Sequence, residues 1–305
     1  MQFDQTQISI RERGPLETLD LALHVTRRYA WPLLVTMTCG VAPLMLLNYL
    51  LIGWMGRVEY GQFMTNEDMW SVFRYGYDMS VLVFLEVQLA SAFATRFIGQ
   101  AVFWERPKLR DVLSSVLKTT PALFVWQAVT RGPFFAWLLL VLIDHRTEFT
   151  FREGLALPLL VAWSAFIRAL HPFMNEIIVL EGNPSFSKNP QVVTIWRRTG
   201  MLHSSMSGDL MIRWIGAAVV GCLLACAVFG TFLFISGVFL NDWLVGPILM
   251  HLGFPISLWL VASYMTVYRF LSYLDTRIRT EGWEVELRMR AEANRLRGPQ
   301  LGDAA

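Results

Sequence analysis

Charge is what this chain has least of. Only 16% of its 305 residues are Asp, Glu, Lys or Arg and 54% are hydrophobic, whereas soluble domains carry roughly a quarter charged residues. With a mean hydropathy of +0.43, that balance excludes an ordinary soluble domain and points to an integral membrane protein. Cysteine is nearly absent as well. The three present, Cys39, Cys222 and Cys226, all fall inside apolar runs, and an odd, buried set excludes a disulfide framework. Cys222 and Cys226 share a helix face by their i, i+4 spacing. A soft metal could use that spacing, but small packing residues explain it more simply, and no metal or cofactor is expected.

Signatures of chemistry are missing too. The chain has no HExxH, Walker loop, GxSxG or paired CxxC, and its five histidines are scattered. Nothing calls for an enzyme. The formal net charge of +2 averages an apolar middle with charged ends. Because the basic residues follow the topology described below, nucleic-acid binding gains no support. A cleavable leader is not expected either: the first 28 residues stay polar up to Arg27 and Arg28, where a leader needs an early apolar core and a small-residue cleavage site. The first span would then be an uncleaved anchor.

Long apolar runs are what the chain does have. A hydrocarbon core about 30 Å thick takes about 20 helical residues to cross. Six runs meet that length: residues 31–54, 77–103, 121–143, 155–180, 214–240 and 245–268. The fold class expected is therefore all-α, a helical membrane bundle of six spans. Residues 1–30 form an N-terminal segment, 31–270 the transmembrane domain and 271–305 a charged helical tail. In the first segment, Pro15 stands at a first helical position, Leu16, Leu19 and Leu23 recur at helical spacing, and acid precedes base. A short amphipathic surface helix is expected there. A second surface helix is expected at Leu109, Val112, Leu113, Val116 and Leu117, between Pro107 and Pro121. After the Asn-Pro turns at 183–190, a short helix is expected from Gln191.

The loops orient the bundle. Arg11, Arg13, Arg27 and Arg28 precede the first span; Arg106, Lys108, Arg110 and Lys118 lie between the second and third. Lys188, Arg197 and Arg198 lie between the fourth and fifth, and the tail carries Arg277, Arg279, Arg288, Arg290, Arg295 and Arg297. With six spans all these segments share one side, and the positive-inside rule makes it cytoplasmic. A multi-pass protein of the bacterial inner (cytoplasmic) membrane is expected, with both termini inside.

Inside the spans a few residues are costly. A charge at a helix centre costs about 2.5–3.5 kcal/mol on insertion scales, and such residues are functional candidates by default. Glu86 and Arg96 interrupt the second run, Arg131 the third, and Arg168, His171, Asn175 and Glu176 the fourth, where Pro172 kinks or ends the helix. Counted from the outer ends at 1.5 Å per residue, Glu86, Arg131 and Arg168 fall within about 5 Å in depth, so Glu86 is expected to face Arg131 or Arg168. Positions 168, 171 and 175 share a helix face, which would either line a cleft or supply cross-helix hydrogen bonds. The fifth span carries small residues, Ala217, Gly221, Ala225 and Ala218, Cys222, Cys226, Gly230, the pattern of close helix packing.

In the tail, residues 268–297, charges alternate as i, i+4 pairs such as Asp275–Arg279 and Arg277–Glu281, each worth about 0.2–0.5 kcal/mol. Gly282 is expected to separate two helical pieces. Arg277, Arg279, Glu281 and Trp283 are docking candidates.

The tail YLDTRIRTEGWEVELRMRAEA, with ATRFIGQAVFWERPKLRDVL and ALHPFMNEIIVLEGNP, resembles a family of bacterial polytopic membrane proteins of planctomycete type, whose most specific feature is this RIRxEGW tail. Family members are similar to membrane proteins encoded beside MoxR-type AAA ATPases. A similar EG[WF] step occurs in membrane domains attached to glycerophosphodiester phosphodiesterases, whose catalytic domain this chain lacks. The resemblance covers about residues 16–293 and implies no activity. It implies motif positions only: Arg96, Gly99, Arg106, Pro107; Pro172, Asn175, Glu176, Glu181, Asn183, Pro184; Arg277, Arg279, Glu281, Gly282 and Trp283. Three functions are open. One is a non-enzymatic component or docking platform of an envelope multi-protein system, its partners being the bilayer and other envelope proteins on the cytoplasmic face. Another is a transporter or channel subunit with an intramembrane charged site, and the third a membrane-embedded lipid enzyme.

Overall fold

The computed structural model describes residues 14–55, 66–102, 107–143, 150–189, 191–204, 206–241, 243 and 245–282. All regular structure among them is helical. Helix α1 (Pro15–Arg28) runs straight into α2 (Ala30–Ile52), with only Tyr29 between them. Two segments then form one bent element, α3 (Asn66–Ala90) and α4 (Ala92–Val102). Helix α5 (Leu109–Leu123) continues as a π-helical turn, Phe124–Val129, and α6 (Pro133–Val141) follows a sharp break. Beyond α7 (Phe151–Leu170) come the short α8 (Met174–Glu176) with its π-turn Ile177–Glu181, then α9 (Ile195–Ser204). Two long helices finish the bundle: α10 (Ser207–Leu240), and α11 (Phe254–Glu281), which a π-turn, Leu249–Gly253, precedes.

Five of these helices are long and apolar enough to cross a membrane, or up to six if the α3–α4 pair, bent by 43°, is one span. Length and composition therefore suit a multi-pass membrane protein. Helix α1 matches the expected amphipathic segment. It packs against α11, burying Thr18, Ala22 and Val25, while Leu16 and Leu23 point outward. Tyr264 ties the two helices by donating to the Leu19 carbonyl (2.9 Å).

Four runs depart from expectation. The third, expected over 121–143, is not one helix, because Leu109–Val129 is continuous. The expected surface helix is therefore the first half of that continuous helix. The chain breaks at Gly132, whose φ of +99° only glycine adopts without strain, and Pro133 restarts the helix. The fourth run ends at Leu170, since Pro172 forces the break at 171–173. The fifth begins earlier, at Ser207, and past the sixth apolar run the helix itself continues without interruption to Glu281. Gly282 does end that helix; the second tail piece and Trp283 lie outside the described residues.

Close packing fixes the bend between α3 and α4. A Cβ on Gly40 of α2 would lie 2.1 Å from the Ala90 carbonyl oxygen, so only glycine lets the two backbones meet there. At the next residue, Ser91 turns its hydroxyl back onto the Gln88 carbonyl (3.3 Å), a local competition that bends helices. The bend aims Gln88, Ser91 and Thr95 at the centre of the bundle.

Candidate functional site

The bundle centre is polar. Arg269 of α11 donates from Nε to Glu176 Oε1 (2.6 Å), from Nη1 to Gln88, and from Nη2 to Ser91 (3.1 Å) and Thr95 (3.4 Å). Asn175 donates to the same two hydroxyls (both 3.4 Å). The α3–α4 bend, α8 and α11 are thus joined through one guanidinium, and nearly every donor of Arg269 has an acceptor.

Beside this cluster lie two more arginines. Arg131 donates from Nη2 to the His171 carbonyl (2.7 Å), which the Pro172 break leaves without a helical partner. Arg168, on the last turn of α7, donates to the carbonyls of Phe84 and Leu85 and lies 4.1 Å from the Phe84 ring centroid. Both arginines are buried, Arg131 at 0% and Arg168 at 5% exposure. Arg168 lies in the field of Arg131 and Arg269, and Arg131 in the fields of Arg269 and Glu176. Three guanidiniums therefore lie close together, and Glu176, bonded to Arg269, is the carboxylate among them. Arg131 Nε and Nη1, Arg168 Nε, Glu176 Oε2 and both amide atoms of Gln127 are buried without a hydrogen-bond partner. Unmatched donors outnumber unmatched acceptors on the charged groups.

Two of the three π-turns flank this cluster. The Phe124–Val129 turn carries Gln127 and leads to Arg131, and Thr130 N bonds the Val125 carbonyl (3.2 Å). The Ile177–Glu181 turn follows Glu176 and closes with Gly182 N on the Ile177 carbonyl (3.1 Å). Such turns are rare and collect at functional sites.

Glu86 belongs elsewhere. Its carboxylate accepts from Asn48 of α2 (2.9 Å) and Trp137 of α6 (2.6 Å), and no ion pair joins it to Arg131 or Arg168 among the described residues. The expected pairing is corrected for a plain reason: α6 turns at Gly132 and carries Trp137, not Arg131, to the Glu86 side. Arg168 instead caps the carbonyls one and two residues before Glu86. Of the residues on the expected face of the fourth run, the helix break brings Asn175 and Glu176 to α4 and α11. His171 packs its ring 4.3 Å, centroid to centroid, from Trp196. Arg96 donates to the Val179 carbonyl (3.2 Å) of the second π-turn.

A cavity of about 530 Å³ opens from the cluster. Gln88, Arg168, Arg213, Arg269 and Ser272 lie at one end, and the rest of its lining from α3, α10 and α11 is largely apolar. The small residues of α10, Ala217, Ala218, Gly221, Cys222, Ala225 and Cys226, all line it. None of the most apolar stretch of α10 is buried. These small side chains therefore leave room beside α11 instead of bringing a helix into tight contact.

At the α9 end a different network forms. Arg198 of α9 donates to Glu181 (2.7 and 3.0 Å) and to Glu281. Arg277 donates to Glu281 (2.8 Å), and Tyr273 to Glu181 (2.6 Å). The bonds from Glu181, and then Glu281, hold Arg198 above the usual arginine range. Burial pushes the Glu281 carboxyl up, but the hydrogen bonds from Arg277 and Arg198 outweigh it and hold it below its usual range. Arg213 bridges Asp275 and Asp209 (both 2.8 Å), and Arg279 also reaches Asp275 (3.1 Å). At the opposite end Arg74 and Glu153 form a buried pair (2.9 and 2.5 Å), and Glu153 caps α7 through Thr150.

Arg269, Ser91, Thr95, Arg74 and Arg213 escape sequence reasoning, and Gln88 shows there only as a polar residue in the second run. Arg269 follows Tyr268, the expected end of the sixth run, yet Phe270 and Leu271 continue the apolar pattern. Extending that window by one turn finds it. Comparison with protein-family models, with curated proteins and with solved structures gives no match, so what the site can do follows from its geometry.

Proposed function

We propose that the chain is a multi-pass protein of a bacterial inner membrane, both ends cytoplasmic, that holds an anionic amphiphile between α3, α10 and α11. One observation carries this reading: an apolar cavity ends at an arginine cluster with more cations than carboxylates. Apolar length with a cationic end is complementary to a lipid-like molecule with an anionic head. A buried positive excess is costly until an anion matches it. The basic loops favour a cytoplasmic α9 end by the positive-inside rule, so the head would face the cytoplasmic leaflet with its chain towards the bilayer centre. Carriage or presentation of such a molecule suits the site.

The natural cysteines test this. Cys222 and Cys226 line the cavity, so in a Cys39→Ser background a membrane-permeant maleimide reports its occupancy. Anionic lipid is expected to slow labelling, and the protein as purified should carry anionic lipid enriched over the bulk membrane. Equal labelling with and without it, and a bound-lipid profile matching the bulk, would sink the reading.

A second reading, a docking platform for other envelope proteins, draws on the α9 network. That network ties α9 and the Ile177–Glu181 turn to the last turn of α11 through Arg198, Arg277 and Glu281, next to the tail in sequence. Truncation after Gly282 should then abolish partner capture while leaving lipid occupancy intact.

A further inference from the structure

We propose that the head of the bound amphiphile is a phosphate monoester, a dianion in its fully ionised form. The inference rests on the anionic-amphiphile reading and specifies the chemistry of its polar end. Counting charge is the first argument. Arg269 pairs with Glu176, Arg131 lies in the fields of both, and Arg168 lies in the fields of Arg131 and Arg269. Three cations thus stand with one carboxylate, and two positive charges are unmatched in a low-dielectric interior. A carboxylate or phosphodiester head neutralises one of them, and a phosphate monoester neutralises both. Neighbouring charges do not alter the count. Arg213 and Arg279 share Asp209 and Asp275, and Glu86 sits on the Asn48 and Trp137 side, in no ion pair with the cluster among the described residues.

Geometry is the second argument. Arg168 lines the cavity, is 95% buried, and keeps Nε without a partner. A guanidinium edge with an unused N–H is the group that phosphate oxygens pair with best. Arg269 lines the same end, but its donors are taken by Glu176, Gln88, Ser91 and Thr95, so it contributes charge. Arg131 does not line the cavity and acts on Arg168 through its field. Thus Arg168 is the contacting residue, and Arg131 and Arg269 set the potential. The apolar lining, from Phe84 through Gly221 and Ala225 to Phe229 and Leu258, selects a lipid over free phosphate.

The test uses the full-length protein in neutral-lipid nanodiscs, with occupancy read by native mass spectrometry and by cysteine protection. Four probes are compared: phosphatidic acid, phosphatidylglycerol of the same acyl chains, the matching fatty acid, and inorganic phosphate. Phosphatidic acid should bind tighter than the others by on the order of tenfold, the size of one further charge-assisted hydrogen bond. Its advantage should shrink as pH falls through about 6, where a phosphate monoester loses its second charge. In Arg168→Gln the preference for the monoester should vanish, and Arg168→Lys should restore part of it. Equal binding of phosphatidylglycerol or the fatty acid overturns the monoester but leaves the anionic-amphiphile reading standing. Protection by inorganic phosphate equal to that by phosphatidic acid overturns the lipid part. No preference for any anionic lipid over phosphatidylcholine overturns both. Because the probe series decides the matter on the unmodified chain, a variant that fails to fold does not block the test.

Discussion

Two clusters of arginine and glutamate lie about two to three turns apart along α11, and they are built differently. At the α9 end, Arg198 and Arg277 face Glu181 and Glu281, two cations against two carboxylates, with side chains 19, 17, 14 and 23% exposed. Deeper in, Arg131, Arg168 and Arg269 stand with one carboxylate, Glu176, and all but Arg269 are at least 95% buried. The matched cluster satisfies itself, partly wetted, and needs nothing further to be stable. The unmatched cluster sits where solvent cannot help and keeps unpartnered donors. Equal charge reads as a latch that ties elements together. Unequal charge reads as a seat that awaits an anion.

The most severe way to break this contrast is to remove the one carboxylate of the deep cluster. Glu176→Gln leaves Arg269 buried without its counter-charge. Deleting one partner of a buried pair costs about 3–5 kcal/mol, so thermal unfolding in detergent should show the largest loss of any variant discussed. Added anionic lipid should recover part of it. A loss below about 1 kcal/mol would mean that Arg269 needs no counter-charge, and the contrast would fall.

How much of this could be read from the chain alone depends on distance along it. Arg131, Arg168, Asn175 and Glu176 stood out because a charge or amide in an apolar run is costly wherever it ends up. Their partners did not, because Glu176 and Arg269 are 93 residues apart, and Ser91 and Thr95 look like any small hydroxyl in a span. The Glu86 expectation failed on a local detail with long reach. The sequence Arg131-Gly132-Pro133 is a turn signal, but inside an apolar run it was taken as helix, and the turn it makes carries Arg131 away from Glu86. The tail pairs Asp275–Arg279 and Arg277–Glu281 were legible from i, i+4 spacing and are present. Their further partners, Arg213 and Arg198, come from other helices. Periodicity finds the neighbours along a helix, while cross-helix neighbours depend on how the helices pack.

A smaller effect, opposite in character to the first, sharpens the contrast. Arg168→Gln removes one of the surplus cations, so the lipid-free protein should lose little, within about 1 kcal/mol, because the lost contacts to the Phe84 and Leu85 carbonyls are offset by one fewer buried charge. The stabilisation given by phosphatidic acid, about 2.7 kcal/mol at a hundredfold excess over Kd, should largely disappear. Both quantities come from one melting series with and without lipid. A large loss in the lipid-free variant would make Arg168 a structural brace.

The latch should answer to a double-mutant cycle. Arg198→Gln and Glu281→Gln, singly and together, should give a coupling of about 0.5–3 kcal/mol, as for residues in one ion-pair network. Lipid protection of Cys222 and Cys226 should stay unchanged throughout. Lipid occupancy that tracks the latch variants would join the two clusters into one device and dissolve the comparison.

The gentlest probe is pH, which should act on the two clusters in separate windows. Glu281 lies beyond the sixth apolar run, and the bonds from Arg277 and Arg198 hold its carboxyl below the ordinary value of 4.5. A carboxyl depressed by folding contributes its stability fully above that ordinary value and loses it as pH falls through the lower folded value. The latch should therefore hold at neutral pH and loosen only below about 4.5, with Glu281→Gln removing the dependence. Hydrogen exchange at α9 and the last turns of α11 reads this directly. Cysteine protection by phosphatidic acid should already have weakened near pH 6, from the second ionisation of the lipid and not of the protein. If exchange at α9 rose in the same window as the loss of lipid, the matched cluster would be responding to the ligand, and its independence from the deep site would be lost.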